Sequence, residues 1–260
     1  MLGGAGSNDA FVKEGLRIVQ SAEREGVVLR VMGAVAIRIH CPDSLDLLQR
    51  LERNISDIDL VGYEKQTSKI EKLMPTLGYT SRQLSYSYAQ AGRLIFLDSS
   101  DSTGSKHVDV FLDKLAMCHT IPYLGRLEKD SPTVPLAEIL LQKTQIVQLS
   151  EKDVKDTMVL FKDHDIGDTD SDTINIRYIA ELLSKDWGFY YTVATNLQKV
   201  KSLAGTFPAL SEQDKQTVVG RIENALGRLD AEPKSSAWKM RAKVGTKKKW
   251  YKDVYSPAKF

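Results

Sequence analysis

Three carboxylates stand where a structural core would have none. Asp57 and Asp59 fall in Ser56-Asp57-Ile58-Asp59-Leu60, and Asp109 falls in His107-Val108-Asp109-Val110-Phe111; both stretches are otherwise apolar and β-favouring. On a strand, alternate side chains share a face. Asp57 and Asp59 therefore lie side by side, roughly 6–7 Å apart along the backbone, while Ile58, Leu60 and Val61 supply the buried side. Asp109 is expected to point out of an adjacent strand. Three clustered anions repel one another unless a cation neutralises them, and hard oxygens suit Mg²⁺. The chemistry that uses such a triad is transfer of a phosphoryl or nucleotidyl group assisted by two metal ions.

A further element lies upstream. Val27–Met32 reads as a strand, and Gly33–Arg38 as a helix starting straight from it. A strand–glycine–helix turn presents free backbone N–H groups at a helix N-terminus, the usual cradle for phosphates. The order of glycine turn, Asp-x-Asp strand and single-Asp strand resembles the nucleotidyltransferase superfamily with a polymerase-β-like core. That resemblance implies a Mg²⁺-dependent enzyme, with two ions, that moves NMP from an NTP to an acceptor hydroxyl. It implies that Asp57 and Asp59 ligate the ions and bridge to the phosphates, and that Asp109 is the third ligand and helps to deprotonate the acceptor. Gly33 and Ala34 would meet the triphosphate through backbone N–H groups. Two departures stand out. Ala34 replaces the Gly or Ser of the family pattern, so no side-chain hydroxyl is available, and the gap from Gly33 to Asp57 is longer than in the most compact members.

Glu138-Ile139-Leu140-Leu141-Gln142-Lys143-Thr144, followed by Lys152-Asp153-Val154-Lys155-Asp156, resembles the later motifs of the AbiEii-type branch. That branch includes toxin components of abortive-infection and toxin–antitoxin systems. Arg53 and Ser56 resemble its lead into Asp-x-Asp. The matches touch residues 30–160 and imply that Lys143 and Lys152 neutralise the triphosphate. Asp153 and Asp156 would orient Lys152 or the acceptor, although Asp at a helix start is favoured anyway by capping and the dipole. Arg53 would pair with the triphosphate or with Asp57. The implied acceptor is RNA, a tRNA 3′ end above all, with an antitoxin protein as partner. The alternatives are a small-molecule acceptor, as in antibiotic nucleotidyltransferases, and a non-catalytic nucleotide-binding member.

These residues need a scaffold, and the chain is long enough to supply one. With 260 residues, 42% hydrophobic and 27% charged, it suits one large or two ordinary globular domains. No apolar run approaches the ~20 residues of a membrane span, so no membrane association is expected. The first eleven residues lack the basic-then-apolar pattern of a secretory signal and read as a flexible lead-in. Cys41 and Cys118 form no metal or redox motif, which fits a cytoplasmic setting. His40, His107, His119 and His164 lack zinc-ligand spacing and are not expected to bind metal. The acid-rich run 163–172 fails the EF-hand count, because Thr173 and Ile179 fall where glycine and glutamate are required. It reads as a loop and helix cap.

Alternating signals over 8–125 predict a mixed α/β core. Asn8 or Asp9 caps a first helix that Gly26 stops, a helix after Gly33 cannot pass Pro42, and Leu45–Leu51 is helical. Ser68 and Glu71 form a capping box for a helix that ends near Gly78. Gly92–Leu97 and His107–Leu112 form a hairpin around the loop 98–106. Residues 135–230 predict a helical lobe: Leu136–Val147, a helix opened by Ser150, one capped by Asp172 or Thr173, Trp187–Leu203, and one from the Ser211/Asp214 box to Leu229. The fold class is α+β, with an N-terminal core and a C-terminal helical lobe joined near 120–135. Residues 231–260 form a basic, aromatic tail. From Lys234 onward nine Lys/Arg face one acid, leaving the first 233 residues with 27 basic and 33 acidic side chains. Such a tail suits nucleic acid. It equally suits a strap whose rings dock on the acidic body while its lysines stay solvated, which is the arrangement expected here.

Overall fold

The computed structural model describes residues 5–82, 92–101, 103 and 106–254. The first four residues, Tyr255 and Phe260 lie outside them. The fold is α+β, and the chain divides into two compact units, Met1–Leu115 with Ile121–Pro135, and Ala116–Thr120 with Leu136–Phe260.

The first unit is built on β1 (Leu29–Met32), β2 (Ile58–Gly62), β3 (Tyr79–Ser81), β4 (Arg93–Asp98) and β5 (His107–Leu112), in the order β1-β2-β5-β4-β3. β2 and β5 are parallel; β1–β2, β5–β4 and β4–β3 are antiparallel. The parallel register sets Ile58 opposite Val108, Asp59 opposite Asp109 and Leu60 opposite Val110. Side-chain alternation then gives Ile58, Leu60, Val108 and Val110 one face and both aspartates the other. The apolar face is covered by α1 (Ala5–Arg24) and α4 (Thr67–Thr76). Gly15 of α1 lies against Val31 and Ile58, and Ile70 of α4 reaches Gly62. Leu60, Val110 and Phe96 are fully buried, each contributing about 1.5–3 kcal/mol of hydrophobic stabilisation. α2 (Gly33–His40) starts on the residue after β1 and stops before Pro42, and α3 (Leu45–Arg50) follows.

Two helix starts differ from expectation. α1 begins at Ala5, so Asn8 is not its cap. Asn8 is buried inside the helix, where its Oδ1 accepts the Ile55 N–H at 2.8 Å and its Nδ2 donates to Asn54 Oδ1 at 3.3 Å. Bonds to a segment 46–47 residues away replace the local capping bond, and they fix the approach to Asp57. α4 grows out of a 3₁₀ turn (Glu64–Gln66), so Ser68 lies inside it and no side chain caps it.

The chain passes to the second unit through β6 (Lys114–Ala116) and β7 (Thr120–Pro122), and again between Pro135 and Leu136. This unit contains α5 (Leu136–Thr144), α6 (Glu151–Asp163), α7 (Ile176–Leu183), α8 (Trp187–Ala204), α9 (Glu212–Ala231) and α10 (Ser236–Val244), with β8 (Ile166–Gly167) and β9 (Ile174–Asn175) between α6 and α7. Ser150, Asp186 and the Ser211–Asp214 box cap α6, α8 and α9. α7 is capped by Asn175 instead of Asp172 or Thr173, because β9 occupies the residues just before it. α5 stops at Thr144, short of Val147; Asn196 Nδ2 donates to Thr144 O and Ile146 O at 2.9 and 2.7 Å, satisfying carbonyls a longer helix would have used. The acid-rich run is an anchored loop, with Asp165 and Asp168 paired to Arg221 and Arg228 of α9. No helix among the described residues is long and apolar enough to cross a membrane.

The described part of the tail lies on α8. Trp250 meets Tyr191 edge-on, Trp238 meets Tyr190, and the Arg241 guanidinium lies 4.7 Å above the Trp187 ring. Trp250 Nε1 donates to Thr192 Oγ1 at 3.0 Å, and the Lys252 N–H donates to Cys118 O. The rings are docked, whereas Lys239, Lys243, Lys247, Lys248, Lys249 and Lys252 are exposed.

Candidate metal and phosphate site

The glycine turn and the second aspartate are built against each other. Gly33 has φ +66°, a left-handed conformation that a β-carbon strains. A β-carbon there would also stand 2.8 Å from Asp59 Oδ2. Met32, the residue before the turn, is the antiparallel partner of Asp59. Glycine is thus required twice, by the backbone and by the carboxylate. Ala34 follows in the first turn of α2, half-buried.

Asp57, His107 and Asp109 come together. Each offers a ligand atom, and the three atoms lie within 4.8 Å of one another. The strand register explains the meeting: His107 and Asp109 are alternate residues of β5, and Asp57 directly precedes β2 in the same alternation as Asp59. Ser56 Oγ donates to Asp57 Oδ1 at 3.0 Å and steadies it. Asp59 is not in this group; it shares the sheet face, opposite Asp109, with its Oδ2 toward the Gly33 turn.

Asp109 is 2% exposed, and its two oxygens differ. Oδ2 is ion-paired with Arg93 of β4 and lies 3.7 Å from His107 Nε2. Oδ1 is buried and, among the described residues, has no hydrogen-bond partner. A buried carboxylate oxygen left without a donor costs on the order of 1–3 kcal/mol. Two carboxylates, one of them carrying that orphaned oxygen, and an imidazole fit a divalent cation. Arg93 rests its guanidinium 5.2 Å from the Phe111 ring, which lies opposite it in the register.

Arg93 and His107 are the residues that sequence reasoning missed. For His107 the signal was present: His-x-Asp on a strand puts both side chains on one face. Zinc-type spacing within one segment does not detect such a group, since its third member comes from beside a parallel neighbour.

The remaining expected residues lie elsewhere. Arg53 is buried beside the loop that leads to Asp57, and Arg38 donates to its carbonyl at 2.6 Å. Lys143, on α5 in the second unit, is largely buried and bridges to Asp156 Oδ2 at 2.8 Å and Asp153 Oδ1 at 3.9 Å. Asp156 is 1% exposed. Asp153 also accepts the Ser150 hydroxyl at the start of α6. Lys152 is exposed on the first turn of that helix.

The first unit also contains a cleft of about 800 Å³, lined by Phe11, Glu14 and Arg17 of α1, Tyr79, Asp98 and His107 among others. Tyr79 Oη donates to Glu14 Oε1 at 2.6 Å; burial and that carboxylate push the phenol well above its ordinary range. His107 therefore belongs both to the cleft wall and to the candidate metal-binding group.

No protein-family model and no curated protein matches the chain. One solved structure does, the antibiotic-resistance factor ANT(2'')-Ia determined in solution, at 12% identity and a TM-score of 0.41, covering 68% of this chain and 95% of that one.

Proposed function

We propose that the chain is a nucleotidyltransferase that moves NMP from an NTP to an acceptor hydroxyl, with divalent cations held by Asp57, Asp59 and Asp109. One observation carries this reading: the parallel register that sets Asp59 opposite Asp109 while the Gly33 turn abuts Asp59. Phosphates would meet the Gly33 and Ala34 N–H groups at the start of α2, beside the carboxylate face. Bound cations would neutralise the phosphates and ease ionisation of the acceptor hydroxyl. Asp109 would draw off that proton as the hydroxyl oxygen bonds to the α-phosphorus and pyrophosphate leaves. Arg93 would keep Asp109 in place. Lys143 and Lys152 as triphosphate partners, the AbiEii branch and an antitoxin partner rest on the resemblance alone.

RNA, a tRNA 3′ end in particular, is the favoured acceptor. The support is the tail's exposed lysines, which suit a phosphate backbone. Its docked rings leave charge, more than stacking, as the means of recognition. The cleft beside His107 favours a second acceptor class, a small polyhydroxylated molecule, since about 800 Å³ is the size of an ordinary small-ligand site.

The test is incubation with each α-labelled NTP, Mg²⁺ or Mn²⁺, and either total tRNA or a panel of hydroxylated antibiotics. Label should move to one acceptor class, and Asp59→Asn should lower the rate at least about 100-fold without lowering the melting temperature. Bound nucleotide with no transfer to any acceptor, under either cation, would leave only a binding protein.

A further inference from the structure

We propose that the Asp57–His107–Asp109 group selects a borderline first-row cation, in the range from Mn²⁺ to Zn²⁺, over Mg²⁺, and that His107 makes the choice. The site is that of the proposed transferase, and its role there rests on that reading, but metal selection is measurable without nucleotide.

The donor set is the first argument. Mg²⁺ demands oxygen, sheds its waters reluctantly and is usually held by one or two carboxylates with several waters retained. Imidazole nitrogen suits the later first-row ions. Here an imidazole joins the Asp57 and Asp109 carboxylates, with Asp59 beside the group as a further carboxylate on the same face.

Spacing is the second. Ligand atoms about 2.1 Å from one ion can be no more than about 4.2 Å apart. The three ligand atoms lie within 4.8 Å of one another; three atoms spread evenly about one ion are about 3.6 Å apart, so side-chain shifts of up to roughly 0.7 Å bring them into an inner shell. His107 Nε2 is 3.7 Å from Asp109 Oδ2, too far for a hydrogen bond between them. With 31% of its side chain exposed, His107 can make that shift, whereas Asp109 is held at 2%.

Charge is the third. Arg93 already offsets one negative charge at Asp109. A hard cation, held by charge alone, loses more from that than an ion that also bonds to nitrogen. The buried Oδ1 of Asp109 has no hydrogen-bond partner among the described residues.

The experiment is isothermal titration of the full chain, free of nucleotide, with MnCl₂ and separately with MgCl₂. The parent should bind Mn²⁺ at least about tenfold tighter than Mg²⁺. His107→Ala should weaken Mn²⁺ binding about 10–100-fold, the range seen when even outer partners of a metal ligand are lost, and change Mg²⁺ binding less than about threefold. His107→Asp should restore an all-carboxylate set and swing the preference toward Mg²⁺. Parent affinities within about threefold of each other, or an equal loss of both ions in His107→Ala, would overturn the proposal. If His107→Ala does not fold, the parent ratio and His107→Asp decide. Mn²⁺ selection without nucleotide transfer sustains this inference and sinks the transferase reading. Transfer without selection does the reverse.

Discussion

Replacing Gly33 by alanine tests the turn that couples the start of α2, proposed to face phosphate, to the carboxylates, and Gly26 supplies its control. Both glycines have positive φ, +64° at Gly26 and +66° at Gly33. A β-carbon at Gly26 meets nothing within 4 Å, whereas one at Gly33 stands 2.8 Å from Asp59 Oδ2. Gly26→Ala therefore bears only the left-handed backbone, about 1–2 kcal/mol, less about 0.4–1 kcal/mol from a stiffer unfolded chain. The net loss is about 1 kcal/mol. Gly33→Ala bears the same strain plus the displacement of Asp59. The clashing oxygen ends a short side chain, so it should rotate away at about 0.5–1.5 kcal/mol. The total is about 2 kcal/mol. At roughly 2–4 °C per kcal/mol for a chain of this size, Gly26→Ala should melt about 2–4 °C below the parent and Gly33→Ala about 4–8 °C below. Differential scanning calorimetry reads both. The displaced carboxylate should also cut nucleotide transfer about 100-fold, the penalty for roughly 1 Å of misplacement, while Gly26→Ala transfers at the parent rate. Equal melting of the two variants, with parent-like transfer in Gly33→Ala, would refute the coupling.

Lys143→Met should destabilise by about 3–5 kcal/mol in urea melts, because Asp156 is left buried with its cation removed; a loss below about 1 kcal/mol would mean the pair is dispensable. The His119 imidazole is held down to about 4 by burial, against an opposing pull from Asp186, while Thr192 Oγ1 lies 2.8 Å from its Nε2. Its folded pKa is below its unfolded value of 6.5, so the unfolded chain binds more protons between pH 4 and 6.5. That contribution is complete above pH 6.5 and is lost on acidification toward pH 4, about 3 kcal/mol in all. Denaturant midpoints across that window should fall more steeply for the parent than for His119→Phe, and parallel profiles would remove His119 as the cause.

Much of the first unit was legible because its signals are local. Ile58, Leu60, Val108 and Val110 alternate with aspartates, and period-two patterning fixes which face each side chain takes. Gly33 straight after an apolar strand marked the turn, and Pro42 marked the end of α2. What could not be read depends on pairing across distance. Arg93 lies in a strand that was expected, but its ion pair with Asp109 follows from the register in which Arg93 faces Phe111. Asn8 looked like a cap because Asn caps well, until Ile55 and Asn54 claimed its side chain. Lys143 was expected to neutralise a triphosphate, yet every residue of α5 is buried and its ammonium bridges to Asp156. One apolar stripe does not reveal that the polar side of a helix is covered too.

Asp109 is the strongest ground for proposing that the carboxylate face is a site. A carboxylate at 2% exposure carries a desolvation cost of several kcal/mol, which a cation and a full set of hydrogen bonds must offset. Arg93 supplies the charge on one oxygen, and the other is left with no donor among the described residues. Val108 and Val110, its neighbours on β5, show what the strand accepts where only packing matters. A valine at 109 would avoid the desolvation and leave no orphaned oxygen. The sheet instead keeps a half-satisfied acid between an arginine and a histidine, opposite another aspartate. Local rules broken without compensation within the fold are expected where a ligand completes the arrangement, which is why a cation that an oxygen and an imidazole can share is the ligand proposed for this face.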